Sequence, residues 1–166
     1  MDPTLRISIQ KIRLLVFDFD GVFTDNTVWT TEDGKESVRC WRSDGLGLQK
    51  LRETSVQSLV LSTEENPVVS ARCRKLKIEC IQGQPDKGRA LTEITKQRGL
   101  DFSEVAYLGN DTNDLGCLKL VGLPMVVRDA FPVIVPLAHY QTLANGGFGA
   151  VREVCDLFCD ALSAKA

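Results

Sequence analysis

A parallel α/β fold is what this sequence predicts, and three observations predict it. Short apolar runs recur along the chain. Segments with helical spacing lie between them. One stretch after the first run breaks this rhythm and reads as a β-hairpin.

Leu14-Leu15-Val16-Phe17 is continuously apolar, as a strand buried on both faces is. The stretch 27–41 alternates and holds Glu32-Asp33-Gly34-Lys35, a turn with glycine available for positive φ. Ser58-Leu59-Val60-Leu61 is a second buried strand. Asn66-Pro67 supplies an N-cap and first helical residue, opening a helix to about Lys77. Pro85-Asp86 precedes another, ending at Arg98-Gly99, where glycine suits the position after the cap. Val105-Ala106-Tyr107-Leu108 is a third strand, followed by a helix from about Asn113 to Leu120, and Met125-Val126-Val127 is a fourth. A last helix starts near Gly149 and carries Val151, Val154, Cys155, Phe158 and Leu162 at helical spacing. The result is a Rossmann-like parallel sheet flanked by helices, with a hairpin inserted after the first strand, in one domain over 1–166.

Composition narrows the function classes. The chain has 166 residues, 43% hydrophobic and 25% charged, which suffices for a sizeable core. Twenty basic against 22 acidic residues leave no broad electrostatic grip on nucleic acid or an anionic membrane. No apolar run approaches the roughly 18 residues of a membrane helix, and the N-terminus has no signal-peptide stretch, so a cytoplasmic location is expected. The six cysteines form no C-x-x-C pair, and His139 is the single histidine. A zinc site is therefore poorly supported, and the cysteines read as small buried hydrophobes.

Parallel sheets place their functional loops beyond the carboxyl ends of the strands. After the first run come Asp18 and Asp20, two residues apart and hence on one side. Burying an unpaired carboxylate is expensive, so the pair is a candidate holder of a hard cation such as Mg²⁺. After the second run comes Ser62-Thr63-Glu64, whose hydroxyl can serve a phosphate oxygen. Lys87 stands at a helix start, against the dipole preference, a conflict that a bound anion would relieve. After the third run comes the oxygen-rich turn Gly109-Asn110-Asp111-Thr112-Asn113-Asp114. Each piece alone is an ordinary turn or cap; in order, at successive strand ends, they point to one phosphate-and-metal pocket.

This constellation resembles the haloacid dehalogenase superfamily of phosphatases. The four motifs fall on Asp18-x-Asp20, Ser62, Lys87 and the loop Asn110 to Asp114. The match is nearest to the capless branch that includes 3-deoxy-D-manno-octulosonate 8-phosphate and nonulosonate (sialic acid) 9-phosphate phosphatases, and similar domains end some CMP-sialic acid synthetases. Matching segments are FDFDGVFTD, RSDGLGL, QGQPDK, VAYLGNDTNDLGCLKLVGLP and NGGFGAVREVCD. The resemblance implies a Mg²⁺-dependent phosphatase working through an aspartyl phosphate. Asp18 would be the nucleophile, Asp20 the acid and base, Ser62 and Lys87 the phosphate ligands. The metal would take Asp18, the backbone carbonyl of Asp20, and either Asn110 or Asp111, with Asp114 behind them. Asn110 departs from the family, which has aspartate there. Glu64 stands where octulosonate enzymes have arginine, and with Lys75 it resembles the nonulosonate branch. The implied substrate is a phosphorylated 2-keto-3-deoxy sugar acid, nine-carbon ahead of eight-carbon. The implied assembly is a homotetramer in which hairpin residues Trp29 and Trp41 pack between subunits, core packing being the alternative. Asn110, and Phe148 where many relatives have arginine, keep a second reading open: a catalytically weak or inactive oligomerisation domain.

Overall fold

The computed structural model describes residues 1–163. Its main sheet has six strands in the order β5-β4-β1-β6-β7-β8, where β1 is Leu14–Phe17, β4 Gln57–Leu61, β5 Glu79–Ile81, β6 Val105–Gly109, β7 Leu123–Val126 and β8 Tyr140–Gln141. Every pairing in it is parallel. The chain begins in the middle, moves outward through β4 and β5, then returns to the other side of β1 to lay down β6, β7 and β8. Strand order therefore reverses at β1, and such a reversal opens a crevice at the strand's carboxyl end.

β1 is buried residue by residue because both faces are covered. Leu15 and Phe17 pack into one core with α1 (Pro3–Lys11), α2 (Asp44–Leu51), α3 (Val68–Leu76) and α6 (Ala150–Ser163). Leu14 and Val16 face the other core, with α4 (Lys87–Gln97) and α5 (Leu115–Leu120). Alternate side chains thus feed two cores, which is why the run has no polar member.

The four expected strands and four expected helices are present, with bounds shifted by a few residues. The helix expected from Asn113 begins as a 3₁₀ turn, Thr112–Asp114, before α5. Asn66 still caps its helix, accepting the Val68 amide at 3.0 Å, although regular structure begins at Val68. Apart from 3₁₀ turns, four elements of the described residues went unread. In α1, Asp2 accepts the amides of Thr4 and Leu5, with Pro3 at the first helical position. The others are α2 and the short edge strands β5 and β8.

The hairpin consists of β2 (Trp29–Thr30) and β3 (Glu36–Ser37), a two-stranded sheet of its own. Core packing fails as an account of its tryptophans: Trp29 is 69% exposed and Trp41 39%. Among the described residues no helix is long and apolar enough to cross a membrane, and all six cysteines are free, three of them buried.

Candidate active site

Three neighbouring strands deliver the central residues. Asp18 follows β1, Ser62 follows β4 and Asn110 follows β6, and the ladder runs on to them: the Asp18 amide donates to Leu108 at 2.9 Å and the Ser62 amide to Ile81 at 3.0 Å. Asp18, Asp20, Ser62, Asn110 and Asp111 line one hollow of about 200 Å³. It shares Asp20, Asn26 and Thr63 with a second hollow of about 330 Å³, bounded by Glu36, Val38 and Glu64. A larger cavity of about 770 Å³ lies against α1 and α6 and collects none of these residues.

Lys87 sits behind Asp18 rather than in the hollow. Its side chain is fully buried, with Nζ 2.6 Å from Asp18 Oδ1 and 2.8 Å from Asp114 Oδ1. The conflict expected of a lysine at a helix start is relieved here by two protein carboxylates. Burial alone would lower its pKa, but Asp18 and Asp114 more than reverse this, so the ammonium is held charged. Asp114 is also the knot of the 110–114 turn, accepting from the Tyr107 hydroxyl at 2.7 Å and the Asn110 amide at 2.8 Å.

Asp18 is almost fully buried, and its Oδ1 also accepts the Phe19 amide at 2.7 Å. Burial and then the Asp114 charge push its carboxyl well above the usual range, against the pull of Lys87. Asp20 is half-buried and its carboxyl is also raised, by burial first and then by Glu64, with Glu36 adding a smaller push. Carboxylates thus outnumber cations here, and one more positive charge would relieve them. The residues lining the hollow that carry oxygen donors include Asp18, Asp20, Asn110 and Asp111, hard ligands suited to a small divalent cation. Among the described residues no three His, Cys, Asp or Glu side chains converge into a metal cluster. A cation here would draw on the Asn110 amide and a backbone carbonyl as well.

The two candidates at the turn differ. Asn110 is buried, and among the described residues its side chain makes no hydrogen bond. Asp111 instead turns Oδ1 onto the Thr112 amide at 2.6 Å, capping its own turn. Asn110 is seated by Gly21, whose φ of +78° suits glycine, and where a Cβ would fall 1.9 Å from Asn110 Nδ2.

Glu64 does reach the site, with Oε1 accepting the amides of Glu65 and Asn66, both at 2.8 Å. Lys75 does not: it is exposed on α3 and lines neither hollow. Glu36 was missed by the sequence reading. Its signal was the hairpin alternation, which puts Glu36 and Val38 on one face, and both line the second hollow. Phe148 carries no charge, but Arg39 lies 4.3 Å over its ring and is 2.8 Å from Asp25.

The haloacid dehalogenase-like hydrolase family model matches residues 53–154. The 3-deoxy-D-manno-octulosonate 8-phosphate phosphatase of Salmonella typhimurium is 34% identical over 158 residues, covering 95% of this chain and 84% of that protein. The crystal structure of the Yersinia pestis phosphatase of that name superposes with a TM-score of 0.93 at 34% identity, over 98% of this chain and 89% of the other. The Moraxella catarrhalis one, described as a complex with magnesium, phosphate and the sugar acid KDO, gives 0.92 at 32%, over 97% and 93%. These matches take in the sheet, the helices and the strand-end loops alike, and by them the chain belongs to the haloacid dehalogenase-like hydrolases.

Proposed function

We propose that this chain is a Mg²⁺-dependent phosphomonoesterase acting on a phosphorylated 2-keto-3-deoxy sugar acid. The observation that carries this reading is the Asp18 carboxylate, buried at the switch point of the sheet and held by Lys87, with Asp20 opening beside it. The relatives' names supply the substrate class.

Lys87 and the Phe19 amide occupy Asp18 Oδ1, which leaves Oδ2 to attack phosphorus. The bond from Asp18 to phosphorus forms as the bond to the sugar oxygen breaks. Asp20, its carboxyl raised by burial and then by the Glu64 charge, is the group placed to give a proton to the departing alkoxide. Asp20 then takes a proton from water as the water attacks phosphorus, and Asp18 is released. The Ser62 hydroxyl, which lines the hollow, holds a phosphoryl oxygen, and the Lys87 charge behind Asp18 offsets the charge that gathers around the attacking carboxylate. Bound Mg²⁺ would neutralise charge on the phosphoryl group and the attacking carboxylate. Asp18, the Asp20 carbonyl and Asn110 would hold it. Asn110 is the better ligand, because Asp111 is committed to its own turn.

Glu64 favours a nonulosonate 9-phosphate over an octulosonate 8-phosphate, since a carboxylate suits hydroxyls where arginine would suit an anion. A homotetramer would cover the exposed Trp29; light scattering on the purified protein tests the assembly. The experiment for the main reading is phosphate release from both sugar acid phosphates, with and without Mg²⁺. Mg²⁺-dependent turnover lost in Asp18→Asn is expected. Turnover surviving in that variant would refute the mechanism, and a strong octulosonate preference would refute the Glu64 argument. Release from neither ester would favour the inert oligomerisation domain.

A further inference from the structure

The second hollow opens from the reaction centre at Asp20 and is the space into which a leaving alcohol would extend. Its charged lining is of one sign. Glu36 comes from the hairpin and Glu64 from the loop after β4, and among the described residues no lysine or arginine lines either hollow. Lys87 is sealed behind Asp18, and Lys35 pairs with Asp33 at 2.6 Å and borders a different depression. Glu36 is also placed with care. Asn66 Nδ2 donates to its Oε2 at 3.0 Å, while Asn66 is fixed by its own bonds to Val68 and Glu64. The other oxygen, Oε1, takes no bond among the described residues.

We infer that Glu36 is a specificity-determining residue. With Glu64 it forms an acidic wall that accepts hydroxyl groups on the carbons next to the phosphate ester and rejects an anionic group at those carbons. Hydroxyls donate to a carboxylate in charge-assisted bonds. A second carboxylate within about 5 Å of a half-buried one weakens binding by about tenfold or more. Such a wall tolerates a sugar acid only when the phosphate lies at the end of the chain remote from the carboxylate, with hydroxylated carbons between. This rests on the phosphatase reading above and adds the residue that reads the carbons next to the ester.

The test uses two three-carbon esters that differ at one terminus, sn-glycerol 3-phosphate (alcohol) and 3-phosphoglycerate (carboxylate). Each is added as an inhibitor of octulosonate 8-phosphate or nonulosonate 9-phosphate hydrolysis by the intact protein. The alcohol is expected to inhibit about tenfold more tightly than the carboxylate. Glu36→Gln keeps an acceptor for Asn66 and should narrow the ratio to within about threefold, and Glu36→Lys should invert it. Equal inhibition by the two esters, no inhibition by either, or a ratio unchanged in both variants would overturn the inference. Failure of the wild-type protein to hydrolyse either sugar ester would instead overturn the phosphatase reading.

Discussion

The two walls of the reaction hollow are held in opposite ways. On the sheet side, Lys87 at the start of α4 joins Asp18, just after β1, to Asp114 in the 3₁₀ turn after β6, and all three are buried against elements of the two cores. On the hairpin side, two strands of two residues each stand in solvent, tied down mainly by Asn66 to Glu36, Arg39 to Asp25 and one bridge between Thr24 and Cys40. An isolated hairpin of this size is marginal in water. On the proposed function, chemistry that tolerates no misplacement would sit on the rigid wall, and the groups that choose a substrate on an element that can vary without unsettling the fold.

The contrast can be broken from either side. Asp18→Asn should cut phosphate release by at least about a thousandfold while the protein stays folded by circular dichroism. Lys87→Met should abolish activity too, but as a folding defect. It leaves two buried carboxylates facing each other, a loss of about 3–5 kcal/mol readable as a lower urea midpoint. An unchanged midpoint would show the sheet side to be less tightly coupled than drawn. Asn110→Ala should raise the Mg²⁺ concentration for half-maximal activity by about tenfold, with a smaller change in Asp111→Ala; the reverse order would move the ligand to Asp111. At the root of the hairpin, burial lifts buried Asp44 to about 7. The unfolded carboxyl titrates near 4, so the folded state pays an increasing penalty as pH climbs through that interval, and stability should be greater at pH 5 than at pH 8. Asp44→Asn should flatten that slope by on the order of 1 kcal/mol, measured by thermal melts across the range. Trp29→Ala should move the stability of a single chain by less than about 0.5 kcal/mol; a larger loss would mean the hairpin is not the loosely held wall.

The sheet side was also the legible side. Asp18, Asp20, Ser62 and Asn110 could be found because each follows an unbroken apolar run, and parallel topology then fixes which ends meet. Lys87 was found for its position, but its burial was not foreseen, since that depends on Asp114 arriving from 27 residues further on. β5 and β8 are short, partly exposed edge strands with no clear alternation, and α1 was overlooked despite its Asp2-Pro3 start. On the hairpin side, alternation gave the turn but not the importance of Glu36, which shows only once the Ser62–Asn66 loop is packed beside it. Lys75 marks the limit of transfer by resemblance: it lies away from both hollows in this chain, and any role for it needs a neighbour.

Residues 18, 87 and 114 come from three separate crossovers, and their charges are tolerable only together. A fragment that supplies only part of this trio would hold it poorly, because two acids without the base, or the base alone, would carry an uncompensated buried charge. On the proposed function, phosphate release would therefore report whether all three crossovers have docked, a test that secondary structure alone does not make.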